Sequence, residues 1–224
     1  MKKMIMMFLM MVGVMAHASS ADYNVRDYGA KGDGKTLDHQ AINAAIDSCV
    51  AHGGGRVVVP AGTYLCGSIR MKSHVELHLS AGAKILAAPA SMKAYDEAES
   101  WEGPAYQDGG HTYFKNSLIY AIGQEHVSIT GRGMIDGQGL TKKDTEKGGV
   151  VNGGNIGTGD KAIAFKLCRN ILIRDVTIYR GGHFAIILTG CELGTVDNVT
   201  IDTNRDGFDI DCCKYLSVSN CKIN

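Results

Sequence analysis

The chain has little proline and no excess of either charge. Only 3 of its 224 residues are proline, and 23 basic residues balance 23 acidic ones. So little proline excludes a proline-rich disordered protein. The absence of a basic excess argues against a nucleic acid or a charged membrane surface as partner. The length leaves room for one sizeable hydrophobic core or for two small domains.

The sequence also lacks an apolar run long enough for a membrane span. Residues 4–15 form an apolar run of twelve, whereas a spanning helix needs roughly 20 residues. Lys2 and Lys3 precede this run, and Ala16-His17-Ala18 follows it with the small-x-small pattern of a cleavage site. We therefore predict a signal peptide over residues 1–18, in preference to a buried helix. Cleavage near Ala18 would export residues 19–224 to the periplasm or the extracellular space.

Glycine and cysteine are plentiful in the sequence, with 29 glycine and 7 cysteine residues. The glycine-rich run 53–55 follows a helical pattern and precedes a strand, the reverse of a phosphate-binding loop, so we interpret it as a turn. An odd number of cysteines cannot pair completely within one chain. Export would permit disulfides, and the sequence leaves their pairing open.

Residues 38–51 have apolar side chains at helical spacing, with Thr36 or Asp38 as candidate caps. Short strand patterns follow from residue 56 onward, separated by glycine, alanine, proline and serine. Two excursions interrupt them. The first, residues 88–115, contains Trp101 and His111 and is interpreted as a surface loop. The second covers residues 137–161. Trp101 could stack on a sugar, although a lone aromatic residue in a loop more often anchors local packing.

A repeat of 22–23 residues becomes clear after Lys161. Five columns of residues keep this spacing over three turns. Their members are Phe165, Leu188 and Ile210; Cys168, Cys191 and Cys213; Asp175, Asn198 and Asn220; Val176, Val199 and Cys221; and Ile178, Ile201 and Ile223. Such a period indicates a solenoid.

The repeating units are β-branched strand runs without a stretch long enough for a helix, so we predict a right-handed parallel β-helix. The Asp175 column should form a polar stack at a corner, and the Cys168 column a row of buried thiols in preference to a metal site. The helix at 38–51 should cap the first rung. No capping pattern follows the last strand, so we expect residues 19–224 to be the N-terminal portion of a single β-helix domain.

Three aspartates and an arginine lie within residues 203–211, which read Thr-Asn-Arg-Asp-Gly-Phe-Asp-Ile-Asp. If Phe208 and Ile210 point inward, Asp209 and Asp211 point outward, with Asp206 in the preceding bend. The repeat then places Asp211 over Thr189 and Lys166, and Asp206 over His183. The predicted outer wall therefore combines Lys166, His183, Arg205 and the three aspartates. Asn-x-Asp-Gly is also a common turn signal, but stacked carboxylates repel each other, which favours a function.

Three segments resemble a known group of enzymes. Asp-Tyr-Gly-Ala-Lys-Gly-Asp-Gly (27–34) resembles the opening of pectin-active β-helix enzymes, and Ile-Thr-Gly-Arg-Gly-Met-Ile-Asp-Gly (129–137) resembles one of their early rungs. Asn204-Arg205-Asp206-Gly207, followed by Phe-Asp-Ile, is similar to the first active-site motif of the polygalacturonases of glycoside hydrolase family 28. Arg205 departs from the threonine that is usual in that family.

The resemblance implies a secreted hydrolase that cuts a galacturonan-like polymer with inversion, acting without a cofactor or metal and as a monomer when full length. It assigns Asp206 to water activation and Asn204 to substrate binding. Arg205, His183, Asp209, Asp211 and Lys166 are further candidate substrate contacts. The family's Asp-Asp, Gly-His-Gly and Arg-x-Lys motifs do not follow Asp206 within the 224 residues. We therefore expect this chain alone to lack hydrolytic activity.

Two other functions remain open at this point. A pectate lyase of similar shape would need carboxylates that bind calcium and an arginine or lysine base, for which Asp206, Asp209, Asp211 and Arg205 are candidates. A secreted β-helix that only binds glycans would need no catalytic aspartate.

Overall fold

The computed structural model describes residues 22–100, 109–140, 159–203 and 205–224. Parallel strands in these ranges form three sheets. Sheet A contains, in spatial order, β1 (Asp22–Asn24), β3 (Gly55–Val59), β6 (Val75–Leu79), β9 (Glu125–Thr130), β12 (Arg169–Arg174), β15 (Glu192–Asp197) and β18 (Lys214–Ser219). Sheet B contains β2 (Asp33–Leu37), β4 (Gly62–Cys66), β7 (Ala83–Ala87), β10 (Met134–Asp136), β13 (Thr177–Tyr179), β16 (Thr200–Asp202) and β19 (Lys222–Ile223). Sheet C contains β5 (Ile69–Arg70), β8 (Ser117–Ile122), β11 (Lys161–Lys166), β14 (Phe184–Thr189) and β17 (Asp206–Asp211).

This arrangement confirms the predicted parallel β-helix. From β3 onward the chain passes through sheets A, B and C in turn, so each complete rung adds one strand to each sheet. Short 3-10 helices cover Val25–Tyr28, Ala90–Met92 and Gly109–His111, and one α-helix, α1, covers His39–Ala51. No helix in the described ranges is both long and apolar enough to cross a membrane. The predicted signal peptide lies outside the described residues, as do Trp101, Asn204 and most of the second excursion.

The register of the paired strands confirms the predicted columns. Phe165 pairs with Leu188, which pairs with Ile210, and Ile178 pairs with Ile201, which pairs with Ile223. Side chains of one kind therefore lie above one another and exclude water from a continuous core. Phe165 and Leu188 are fully buried, whereas Ile210 on the outermost described rung is 42% exposed.

The polar column forms a corner, as predicted. Asp175, Asn198 and Asn220 all have positive φ angles, between 52° and 67°, a conformation that Asn and Asp tolerate better than most residues. The Asn198 amide donates to the Asp175 carboxylate at 2.8 Å. Asn220 donates instead to Asp197, also at 2.8 Å. The amide side chains thus tie neighbouring rungs together where the backbone turns.

The seven cysteines are all unpaired. Cys168 and Cys191 are buried and Cys213 is half-buried, which confirms a column of thiols. The Cys191 backbone N–H lies 3.3 Å from Cys213 Sγ. Stacked residues on neighbouring rungs therefore use sulfur as a small apolar filler and a weak acceptor.

Helix α1 caps the first rung, as predicted. It buries one face, including Ile42, Ile46 and Cys49, against the first strands of the sheets. Asn43 satisfies the edge of β5, since its amide donates to the Ser68 carbonyl at 2.9 Å and its oxygen accepts the Arg70 N–H at 2.8 Å. The helix thus covers an open sheet edge both with apolar area and with hydrogen bonds.

Asp38 does not cap the helix with its side chain. The buried carboxylate accepts the backbone N–H groups of Lys31 at 2.7 Å and Gly32 at 2.9 Å. Gly32 has a φ of +64°, and a Cβ there would lie 2.9 Å from the Tyr64 ring. The glycine-rich segment 29–35 therefore includes a tight loop held by Asp38. It also contains the start of β2, a strand that the sequence pattern did not reveal.

The first excursion is more than a surface loop. Tyr95 is 5% exposed and Phe114 is fully buried. Phe114 packs with Ala164, Phe184 and Ile187 in a small cluster separate from the main core. Part of the excursion therefore folds back over the outer face of sheet C.

We predict that Asn43→Ala lowers the free energy of unfolding by about 1–3 kcal/mol, because it leaves a backbone donor and acceptor without partners at a covered edge. Urea unfolding followed by circular dichroism measures the change. Gln40→Ala, at an exposed position of the same helix, is the control and should change stability by less than about 0.5 kcal/mol. Equal effects of the two substitutions would contradict the role given to Asn43.

Candidate active site

The outer face of sheet C changes from apolar to acidic along the stack. One column contains Tyr120, Ala164, Ile187 and Asp209. The next contains Ile122, Lys166, Thr189 and Asp211, which confirms the predicted position of Asp211 over Thr189 and Lys166. Strand β17 therefore presents two carboxylates in columns whose earlier members are apolar, neutral or, at Lys166, basic.

Asp206 is the first residue of β17 and its side chain is exposed. Its partner in the register is Phe184, so the prediction that Asp206 lies over His183 was wrong by one residue. The cause is the length of the bends: four residues separate β13 from β14, but only three separate β16 from β17. The repeat shortens from 23 to 22 residues at this bend.

His183 is not part of the exposed wall. It is only 1% exposed, its ring centroid lies 4.5 Å from that of Phe184, and its backbone N–H donates to the Asp160 carbonyl at 2.7 Å. Arg205 and Lys166 are half-buried beside the wall, and Asn204 lies outside the described residues. Among the predicted site residues, the structure therefore aligns Lys166, Asp206, Asp209 and Asp211 on the outer face of sheet C.

One histidine that the sequence analysis did not assign to the site contacts both outward aspartates of β17. His111 Nε2 lies 2.9 Å from Asp209 Oδ2 and 3.5 Å from Asp211 Oδ2. Its ring also makes an edge contact with Phe184, at 5.1 Å between centroids. The separation of 98 residues between His111 and Asp209 left no spacing from which to predict the contact.

Burial raises the pKa of Asp209. The charges of Asp211 and Asp206 add to this increase, whereas the charge and the hydrogen bond of His111 lower the pKa and only partly compensate. Asp209 therefore holds a proton more readily in the folded protein than in the unfolded chain. A carboxyl group that can be protonated near an exposed carboxylate is a common feature of sites for acid–base chemistry.

Residues 109–116 form the covering segment over the outer face of sheet C. Buried Lys161 holds it, donating from Nζ to the Tyr113 carbonyl at 2.6 Å and to Asp160 Oδ1 at 2.8 Å. Phe114 N–H donates to Glu99, and Asp160 N–H donates to the Asn116 carbonyl. Because Lys161 is fully buried, its charge depends on Asp160 and on the segment's carbonyl for stabilisation.

His111, Asp209 and Asp211 each offer one ligand atom, and these atoms lie within 4.8 Å of one another. Partly exposed carboxylates often cluster in this way without an ion, and the imidazole already contacts both carboxylates here. The geometry by itself therefore assigns no metal to these side chains.

The sequence profile of one family, "Rhamnogalacturonase A/epimerase, pectate lyase-like", matches residues 23–224. The chain belongs to this family.

Its relatives include hydrolases of the type that the sequence motifs predicted. An exo-poly-alpha-D-galacturonosidase of Dickeya chrysanthemi is 35% identical over 58% of this chain and 21% of its own length. A hyperthermoactive exopolygalacturonase of Thermotoga maritima superposes with a TM-score of 0.75 at 27% identity, covering 91% of this chain and 52% of its own. The mannuronan C5-epimerase AlgE2 of Azotobacter vinelandii is 27% identical over 84% of this chain and 20% of its own length. The chain spans about half or less of the curated relatives that it matches.

We predict that the Asp209 carboxyl titrates above the ordinary aspartyl value, as followed by carboxyl carbon chemical shifts in an NMR pH titration. Asp33 provides the comparison in the same molecule, because hydrogen bonds from Thr36 and Lys35 lower its pKa to about 2. Since folding raises the Asp209 pKa, this group's contribution to the free energy of unfolding decreases as the pH rises through its titration range. An Asp209 midpoint at or below the ordinary value would contradict the burial of this carboxyl.

We also predict that Lys161→Met lowers the free energy of unfolding by about 3–5 kcal/mol, because it leaves the Asp160 charge without its buried partner. Lys166→Met, at a half-buried lysine of the same strand, should lower the free energy of unfolding far less. Chemical denaturation of the two variants measures the difference. Similar losses would show that Lys161 contributes little beyond ordinary side-chain packing.

Proposed function

We propose that this protein is a glycoside hydrolase of the polygalacturonase type that cuts galacturonan-like polymers. The observation that carries the proposal is the alignment of Asp206, Asp209 and Asp211 along the outer face of β17, on a β-helix whose relatives include polygalacturonases. Asp206 is exposed at the start of β17, as a carboxylate that activates water must be.

In the proposed reaction, Asp206 activates the water molecule that attacks the anomeric carbon. Inverting hydrolysis requires a second carboxyl group, a general acid, roughly 6.5–9.5 Å away on the other side of the bond. The proposed substrate contacts are Asn204, Arg205, Asp209, Asp211 and Lys166. Lys166 and Arg205 would pair with uronate carboxylates. Because His183 is buried, we assign it no direct contact with the sugar.

The covering segment also supports action near a chain end. Ala164, Ile187 and Phe184 on the outer face of sheet C are buried beneath it. A polymer bound at β17 could not pass over Ala164, Ile187 and Phe184 without displacing Phe114. Analysis of early products would test this point, since release of short products from one end is expected, and a broad mixture of lengths would contradict it.

We further propose that the protein is exported after cleavage near Ala18, with residues 19–224 belonging to a single β-helix domain. A cell wall or plant-derived polysaccharide would be the partner, since pectin-like polymers lie outside the producing cell. N-terminal sequencing of the secreted protein would test the cleavage site.

A lyase or epimerase function is the second candidate. The cluster of His111, Asp209 and Asp211 and the likeness to a mannuronan C5-epimerase favour it. Both reactions begin with removal of the proton at C5 of a uronate. A lyase would form an unsaturated product, so a calcium-dependent rise in ultraviolet absorbance would support this candidate over hydrolysis.

We predict that Asp206→Asn in the full-length protein lowers the release of reducing sugar from polygalacturonate by about 10²–10⁴-fold, because the amide cannot act as a base. For the unaltered protein, proton NMR of the first product should show the inverted anomer. The binding of oligogalacturonate should change little, because the substitution preserves shape.

Asp175→Asn is the matched control, since it changes an aspartate in a remote corner to the residue found in the same column at Asn198 and Asn220. Its activity should stay within about twofold of the unaltered protein. Loss of activity in both variants, or in neither, would contradict the role of Asp206.

A further inference from the structure

His111 joins two parts of the molecule that are distant in sequence. It belongs to the covering segment (109–116), and it contacts β17 through Asp209 at 2.9 Å and Asp211 at 3.5 Å. The side chain is 24% exposed and that of Asp209 is 20% exposed. The contact is therefore partly shielded from water, where a hydrogen bond to a charged group is stronger than at an open surface.

The covering segment is anchored to the body of the protein at its other end. Phe114 is fully buried, Lys161 donates to the Tyr113 carbonyl, and Ser68 Oγ donates to the Lys115 carbonyl at 3.1 Å. These contacts fix residues 113–116 over the rungs that precede β17. His111 extends the attachment from this anchored part to the acidic strand.

The charges around His111 explain why the contact has consequences for the site. Asp209 and Asp211 point outward from alternate positions of one strand, and Asp206 lies nearby at the start of that strand. Lys166 of β11 shares a column with Asp211, and its Nζ lies 5.2 Å from the Phe114 ring centroid. Without the imidazole, Asp209 would lose its hydrogen-bond partner, and Asp209 and Asp211 would repel each other with less compensation.

We propose that His111 is a positioning residue, which fixes the covering segment to β17 and orients Asp209 and Asp211 for substrate binding beside Asp206. This inference rests on the proposed function for its effect on substrate, but its effect on the segment is independent of that function. The contact that the imidazole makes needs an N–H donor at the end of a side chain of this length. Glutamine can supply such a donor and alanine cannot.

The experiment compares His111→Ala, His111→Gln and the control His78→Ala in the 224-residue chain. His78 is a suitable control because its Nδ1 also lies near a carboxylate, 3.6 Å from Glu76, but it belongs to sheet A. Backbone order parameters from ¹⁵N relaxation report on residues 111 and 112, and calorimetry with an oligogalacturonate reports on the dissociation constant.

We expect His111→Ala to lower the order parameters of residues 111 and 112 from rigid values of ~0.85 toward ~0.6, whereas those of residues 113–116 should stay high. It should weaken oligogalacturonate binding by about 10-fold or more, as expected for loss of a hydrogen bond to a charged group. His111→Gln should restore most of both properties, and His78→Ala should change neither. Rescue by glutamine separates positioning through a hydrogen bond from a general loss of packing.

Unchanged order parameters and unchanged affinity in His111→Ala would overturn the inference, as would a glutamine variant as impaired as the alanine variant. If the unaltered chain binds no oligogalacturonate, the proposed function loses its support. The order parameters then still decide whether His111 fixes the segment.

Discussion

The in-register stacking of parallel strands is the constraint on which the rest of the structure depends. Each rung repeats the side-chain pattern of the rung before it, so Phe165, Leu188 and Ile210 share one column, and Leu188 is buried between the other two. The same register places outward side chains above one another. A functional group on one rung therefore has a fixed neighbour on the next, and a change of one residue in a bend alters that neighbour. Phe184, and not the predicted His183, lies beneath Asp206 because the bend before β17 is one residue shorter than the bend before β14.

Apolar burial on the outer face of sheet C is the second structural condition for the site. In a β-helix the outer face normally meets water, but here Ala164, Ile187 and Phe184 are covered by Phe114. The Tyr113 carbonyl of the covering segment also accepts a hydrogen bond from Lys161 and so helps to stabilise the buried Lys161–Asp160 pair beside them. The acidic strand β17 thus begins where the covered surface ends. The boundary between the two surfaces marks one edge of the proposed active site.

Much of the fold could be predicted from the sequence, and the reason is local regularity. The columns headed by Cys168, Asp175 and Ile178 recur at 22–23 residues, and stacking of equal residues follows directly from that period. The helix was predicted from the spacing of its apolar residues, and its place over the first rung from the need to cover an open sheet edge. The side-chain role of Asp38 was not predicted, because its partners at Lys31 and Gly32 lie on a loop whose conformation depends on tertiary contacts.

The site was predictable only where it follows the repeat. Asp209 and Asp211 were placed correctly because alternation along one strand decides which side chains point outward. His183 was misplaced because the repeat length is not constant, and His111 was missed because the first excursion has no period at all. A segment without periodicity can still be ordered by a few strong contacts, here a buried aromatic ring and a buried ammonium group. In a solenoid, then, the repeats determine the positions that carboxylates can occupy on the outer face. The non-repeating segments between the strands determine which other side chains those carboxylates contact.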